Sequence, residues 1–124
     1  MAKYVDGFVL VVPKEKQEEY KKMAKIGAES WMKHGALEYM ECIGDDLEPK
    51  DMGMGMARAF TEMAGAAEGE TVWFSFIVYK SKEHRDEVNA KVMKEMSEMD
   101  AEDFQMPFDL KKMSTGGFEV VVEG

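Results

Sequence analysis

The ten residues from Glu70 to Tyr79, ETVWFSFIVY, are β-branched or aromatic at almost every place, the composition of a strand. Side chains alternate across a strand, so Trp73, Ile77 and Tyr79 fall on one side and Val72, Phe74, Phe76 and Val78 on the other. Neither side is polar. A strand of this kind belongs in a sheet that is covered twice, because an antiparallel sheet with one wet face shows apolar and polar residues in alternation. The stretch YVDGFVLVV, Tyr4 to Val12, repeats the pattern, with Tyr4, Phe8 and Leu10 against Val5, Val9 and Val11. It stops at Pro13, which has no N–H to give to a ladder.

Between and after these strands the spacing changes. Pro13 is suited to opening a helix, and Tyr20, Met23, Ala24, Gly27 and Trp31 recur at helical intervals over Lys14 to His34, with Gly35 as the stop. ALEYMECI, Ala36 to Ile43, reads as a second strand running into the acidic turn GDDLEPKD. Met52 to Glu70 has no single reading: Ala57 to Ala67 fits a short helix, a loose strand or an ordered loop. Ser81 is a natural N-cap with Glu83 in the first turn, and Val88, Val92, Met96 and Met99 make the buried stripe of a second helix. GGFEVVV from Gly116 is the fourth strand.

The order β-α-β-β-α-β predicts a ferredoxin-like α+β sandwich, a four-stranded antiparallel sheet with both helices on one face. The 124 residues suit one domain, 1–124. Two helices cover one face only. A face that apolar is best covered by a second copy, which predicts a homodimer through the open sheet face that closes a dimeric α/β barrel.

Charge limits the partners. With 25 acidic and 16 basic side chains the chain carries a net −9, a field that repels phosphate backbones and anionic lipid surfaces, so neither nucleic acid nor membrane is expected. No apolar run approaches the roughly 20 residues that span a bilayer, and MAKYVDGFVLVVP has no small-residue cleavage site after its apolar part. Cys42 is the single cysteine, which suits a cytoplasmic location and leaves open whether the thiol is reactive or buried, burial being the commoner fate of a free cysteine.

Several segments taken together, YVDGF, GALEYMEC, ETVWFSFIVY followed by SKEHRDEVNAKVM, and MPFD with GGFE, resemble the YbaA-like family of small bacterial proteins, domain of unknown function 1428. The resemblance spans nearly the whole chain. It implies the dimeric α/β barrel and carries no established activity with it. Leu110 and Thr115 stand where such proteins tend to have a glycine and an aromatic, and the run MGMGM, Met52 to Met56, is also unlike the family pattern.

Polar residues set into apolar strands mark the candidate site. Asp6, Glu41 and Ser75 each interrupt a strand, and a buried carboxylate has to pair, reach water or line a polar cavity. The functional reading has Asp6, Glu41, Trp73 and Ser75 converging on the barrel interior, with Asp6 or Glu41 as catalytic base and Trp73 as wall. The structural reading of the two carboxylates is a strand-end or rim position bonded to a neighbour. In MPFDLKKMSTGG, Asp109 either caps a short turn or stands with Lys111 or Lys112 at a cavity mouth.

The remaining motifs point to little chemistry. His34 and His84 make no zinc pattern, Ser75, His84 and Asp86 lack the context of a catalytic triad, and the three thioethers of MGMGM have no other soft donor near them in sequence. No metal and no cofactor is expected. The predicted function is binding of a small molecule in the barrel cavity, with cofactor-free monooxygenase- or isomerase-like chemistry as its enzymatic form. The alternatives are a non-catalytic ligand-binding dimer and a structural or interaction dimer.

Overall fold

The computed structural model describes residues 2–100 and 106–124. Four strands, β1 (Tyr4–Pro13), β2 (Glu38–Ile43), β3 (Glu70–Tyr79) and β4 (Met113–Glu119), form one antiparallel sheet in the order β2-β3-β1-β4. The helices are α1 (Gln17–Lys33), a five-residue α2 (Phe60–Ala64) and α3 (Lys82–Ser97). The two long strands sit at the centre of the sheet and the two short ones at its edges, as their double-sided apolarity requires.

Each helix begins and ends for a local reason. A 3₁₀ turn, Lys14–Lys16, leads from Pro13 into α1, so the α-helix starts three residues later than the sequence reading has it. At the other end Gly35 adopts φ 111°, and the Ala36 and Gly35 amides donate to the Trp31 and Met32 carbonyls. That left-handed residue and its crossed bonds close the helix and send the chain back toward the sheet. Ser81 caps α3 by accepting the His84 amide at 3.1 Å. Val88 and Val92 are buried on the sheet side, whereas Met99 lies just beyond the end of α3.

Register decides which side chains meet the helices. Leu10 pairs with Trp73, Phe8 with Ser75, Asp6 with Ile77 and Tyr4 with Tyr79, and Glu41 and Tyr39 of β2 continue the Ser75 and Ile77 rows. These residues face α1 and α3 and enclose two linked cores, Leu10, Val12, Tyr20, Ala24 and Trp73 at one end and Ile77, Tyr79, Val88 and Val92 at the other. The opposite face carries Val5, Val9 and Val11 from β1, Val72, Phe74, Phe76 and Val78 from β3, Met40 and Cys42 from β2 and Phe118 from β4.

Two stretches differ from the sequence reading. Met52 to Glu70 resolves into the short helix α2 flanked by loops, and it packs on β3 and β1. The fourth strand begins at Met113, ahead of the glycines, because Met113 to Glu119 finds ladder partners from Leu10 to Tyr4. It ends at Glu119, since β1 has run out, and Val120 to Val122 lie outside it. Among the described residues no helix is long and apolar enough to cross a membrane.

Candidate functional site

Asp6, Glu41, Trp73 and Ser75 share one face of the sheet, and it is the face beneath the helices. The expectation that they line a barrel interior is therefore corrected: that interior would be bounded by the other face. A change of one residue in strand parity separates the two outcomes, and composition does not carry it. The two carboxylates also stay apart. Asp6 is on β1 and Glu41 on β2, with β3 between them, about 10 Å away laterally from the strand spacing alone.

Each carboxylate is held by its own partners. Asp6 accepts Arg85 Nη1 of α3 at 2.7 Å, and Asn89 Nδ2 approaches its other oxygen at 3.5 Å. Asn89 Oδ1 in turn accepts Trp31 Nε1 of α1 at 3.0 Å and the Tyr79 hydroxyl of β3 at 3.1 Å. The Arg85 guanidinium lies 4.8 Å from the centre of the Tyr4 ring, a cation–π contact, and its Nε reaches Asp86 at 2.8 Å. Burial, and then the charge of Asp6, pushes the Tyr79 phenol up. The result is one polar knot that joins β1, β3, α1 and α3.

Glu41 makes the second knot. Its two oxygens accept the hydroxyls of Tyr20 at 2.8 Å and Tyr39 at 2.7 Å. Burial and the adjacent carboxylate push both phenols up, so they remain donors at any ordinary pH. Tyr20 stacks edge-on against Trp73, with ring centres 4.8 Å apart, and Trp73 Nε1 donates to Thr71 Oγ1 at 3.0 Å. Ser75 is buried in the row between Glu41 and Phe8. Tyr20, Tyr39, Arg85 and Asn89 carry this chemistry, and only Tyr20 stood out in the sequence, as part of a helical stripe.

Asp109 and Lys112 fasten the last strand. Asp109 Oδ1 accepts the Lys111 amide at 2.9 Å and caps the 3₁₀ turn Leu110–Lys112. Lys112 Nζ reaches Glu70 Oε1 at 2.9 Å, and Glu70 also accepts the Ala67 amide. That amide, with Lys112 second, holds the Glu70 carboxyl below its usual range. Phe108 packs on Tyr20 at 5.7 Å between ring centres, and Pro107 is buried. Ser75, His84 and Asp86 do not assemble, because His84 Nδ1 accepts the Lys80 amide and Asp86 bonds Arg85.

An apolar cavity lies elsewhere, on the open face at the end of β2. Gly44 turns the chain back over the sheet: its amide donates to the Val72 carbonyl at 2.7 Å, and a Cβ there would stand 2.9 Å from that oxygen. Leu47 and Phe60 of α2 then rise beside Ile43, Val72 and Phe74 to enclose a cleft of about 330 Å³. Cys42 lines it too and is exposed, because β2 is an edge strand and Cys42 points away from the helices. Phe74 remains 46% exposed and Met40 47%. The charged strand residues of this face are Glu38 and Glu70, the latter paired with Lys112 at the end of β3.

Residues 3–110 match the model of the family described as "Protein of unknown function (DUF1428)". The chain is 41% identical over 123 residues to "Uncharacterized protein YbaA" of Escherichia coli (strain K12), covering 98% of each, and to the same degree to that of Shigella flexneri. In fold it is similar to the crystal structure of a dimeric ferredoxin-like protein from an uncultured marine organism, with a TM-score of 0.58, 11% identity and full coverage of both chains. The sheet order, the two helices on one face and the family match agree: the chain belongs to the DUF1428 family and carries it on a ferredoxin-like α+β fold.

Proposed function

We propose that the protein is a ligand-binding homodimer. Two copies meet through their open sheet faces, and a small apolar molecule occupies the cleft between Ile43, Leu47, Phe60 and Phe74. The observation that carries this reading is the cleft itself, an apolar hollow on a face that has almost no charge. Its volume of about 330 Å³ falls at the small end of known ligand sites, which span roughly 300–1,000 Å³.

Two features support a second copy as the cover. A molecule with a net charge of −9 repels itself, so copies associate most readily where the charges are missing, and the open face is such a place. A two-fold interface also needs one patch that complements itself, which an apolar sheet face provides. The marine protein of similar fold is described as dimeric.

Binding is favoured over turnover because the carboxylates are committed. A general base has to be free to take a proton from a substrate within hydrogen-bond reach. Asp6 is engaged by Arg85 and Glu41 by two phenols, both beneath the helices. We read Asp6, Glu41, Trp73 and Ser75 as the frame that fixes the sheet to α1 and α3, and Asp109 and Lys112 as the anchor of β4. The free thiol of Cys42 fits a reducing, cytoplasmic setting.

Native mass spectrometry and a Nile red titration test the proposal together. The expected result is a dimer and a saturable rise in dye fluorescence, lost in Phe60→Asp, whose side chain is exposed enough to change without unfolding the chain. A dimer with no saturable dye binding would overturn the ligand site. A monomer would overturn the shared cavity.

A further inference from the structure

Val120 to Val122 is a β-branched run that the sequence marks as strand, yet it extends past the end of its sheet. The Val120 amide makes one further bond, to the Lys3 carbonyl, and Lys3 Nζ reaches Glu123 at 2.6 Å. Val121 is 83% exposed and Val122 88%, and Phe118 just before them is 62% exposed on the open face. Local propensity and surroundings disagree here. A short apolar arm held out in water costs free energy unless another surface receives it.

The arm and the cleft occupy opposite corners of one sheet. The arm leaves the β4 edge at the end marked by the Tyr4–Tyr79 row, and the cleft opens on the β2 edge at the end marked by the Leu10–Trp73 row. One corner projects, and at the other the open face is hollow. A two-fold axis parallel to the sheet, midway between two facing copies and running along the diagonal of the two remaining corners, exchanges these two positions. It crosses the strands of the two sheets near a right angle, one of the two common ways in which sheets pack face to face. Under that operation each copy sets its arm on the other's cleft, as an isologous interface demands.

We infer that the arm of one copy, Phe118 and Val120 to Val122, closes the apolar cleft of its partner, so that each ligand site is completed by residues of the second chain. The inference rests on the homodimer reading and adds to it the source of the missing wall. It gives the Val120–Val122 run a surface to bury against. It also places the exposed Cys42 thiol beneath the partner's arm.

Cys42, as the single cysteine, makes the contact directly testable. One copy retains Cys42, and a second, labelled copy carries Cys42→Ser with Val122→Cys. After mixing and mild air oxidation, the expected product is a disulfide between residue 42 of one chain and residue 122 of the other, identified by peptide mapping. A second labelled copy with Cys42→Ser and Lys91→Cys, on the exposed part of α3, is expected to cross-link at no more than the collisional background. A dimer by native mass spectrometry with no 42–122 product, or with no excess over the Lys91 control, would overturn the arm's placement and leave the dimer standing. A monomer would remove both. Val121→Cys in place of Val122→Cys serves as the repeat, since either valine is exposed enough to be changed without disturbing the fold.

Discussion

The two faces of the sheet are built from the same strands and treat polar groups in opposite ways. Beneath the helices every carboxylate that interrupts a strand has been matched: Asp6 with Arg85 and Asn89, Glu41 with Tyr20 and Tyr39. On the other face apolar side chains stand uncovered and the single cysteine is open to solvent. A buried charge stays in a fold only when its partners come with it, so polar residues set into a core are often structural. An apolar face left open has no such internal explanation, and it is there that a partner or ligand is to be sought.

Four measurements break or sharpen this contrast, from the largest effect on the fold to the smallest. Asp6→Ala leaves the half-buried Arg85 guanidinium with Asp86 as its remaining carboxylate, and removal of one member of such a pair costs up to about 3–5 kcal/mol. Urea unfolding should show a loss of that order. A stability unchanged by Asp6→Ala would return Asp6 to the list of functional candidates. Glu41→Gln keeps the size of the side chain but replaces charge-assisted acceptance from two phenols, for an expected loss of about 1.5–3 kcal/mol by the same method.

The open face should respond in the reverse sense. Met40→Glu changes a side chain that is 47% exposed in the isolated chain, so the monomer should unfold within about 0.5 kcal/mol of the wild type. The dimer should not survive the repulsion of two symmetry-related carboxylates. Light scattering coupled to gel filtration reads this, and a dimer that tolerates the charge would place the interface elsewhere.

The last test concerns acid stability. Glu95 on α3 accepts Lys33 Nζ at 2.8 Å, and His34 Nε2 lies 2.8 Å from the same oxygen. Lys33 first, then His34, holds its carboxyl down to about 2 from an ordinary 4.5. A carboxyl whose folded value is lowered stabilises the fold above its unfolded value, and that contribution fades as pH falls from about 4.5 toward 2. Glu95→Gln should therefore flatten the stability profile in that window relative to the wild type. An unaltered acid limb would mean that the α1–α3 contact is not held by this pair.

Much of the architecture was legible along the chain. The strands at Tyr4 and Glu70, the helices after Pro13 and Ser81 and the turn at Asp109 all rest on neighbours within a few residues. Alternation, helical spacing and capping are local properties. The site was legible only as a set of unusual residues. The exposure of Cys42 was not legible, because free cysteines are usually buried and nothing nearby shows that its strand forms an edge. Val120 to Val122 read as strand because valine favours one, whereas the ladder ends where β1 ends.

By itself the sequence determined the order of elements, the double-sided apolarity of the central strands and the charge that discourages polyanionic partners. Only the tertiary structure decided where Asp6 and Glu41 point and what they hold. The partner of Asp6 is Arg85, 79 residues away, brought close by the crossover from β3 into α3. Register has the same origin, since a slip of one residue sends every side chain of a strand to the other face, and the register is fixed by all four strands and both long helices at once. Chemistry that depends on a distant partner or on the choice of face is settled by packing, and local sequence does not contain it.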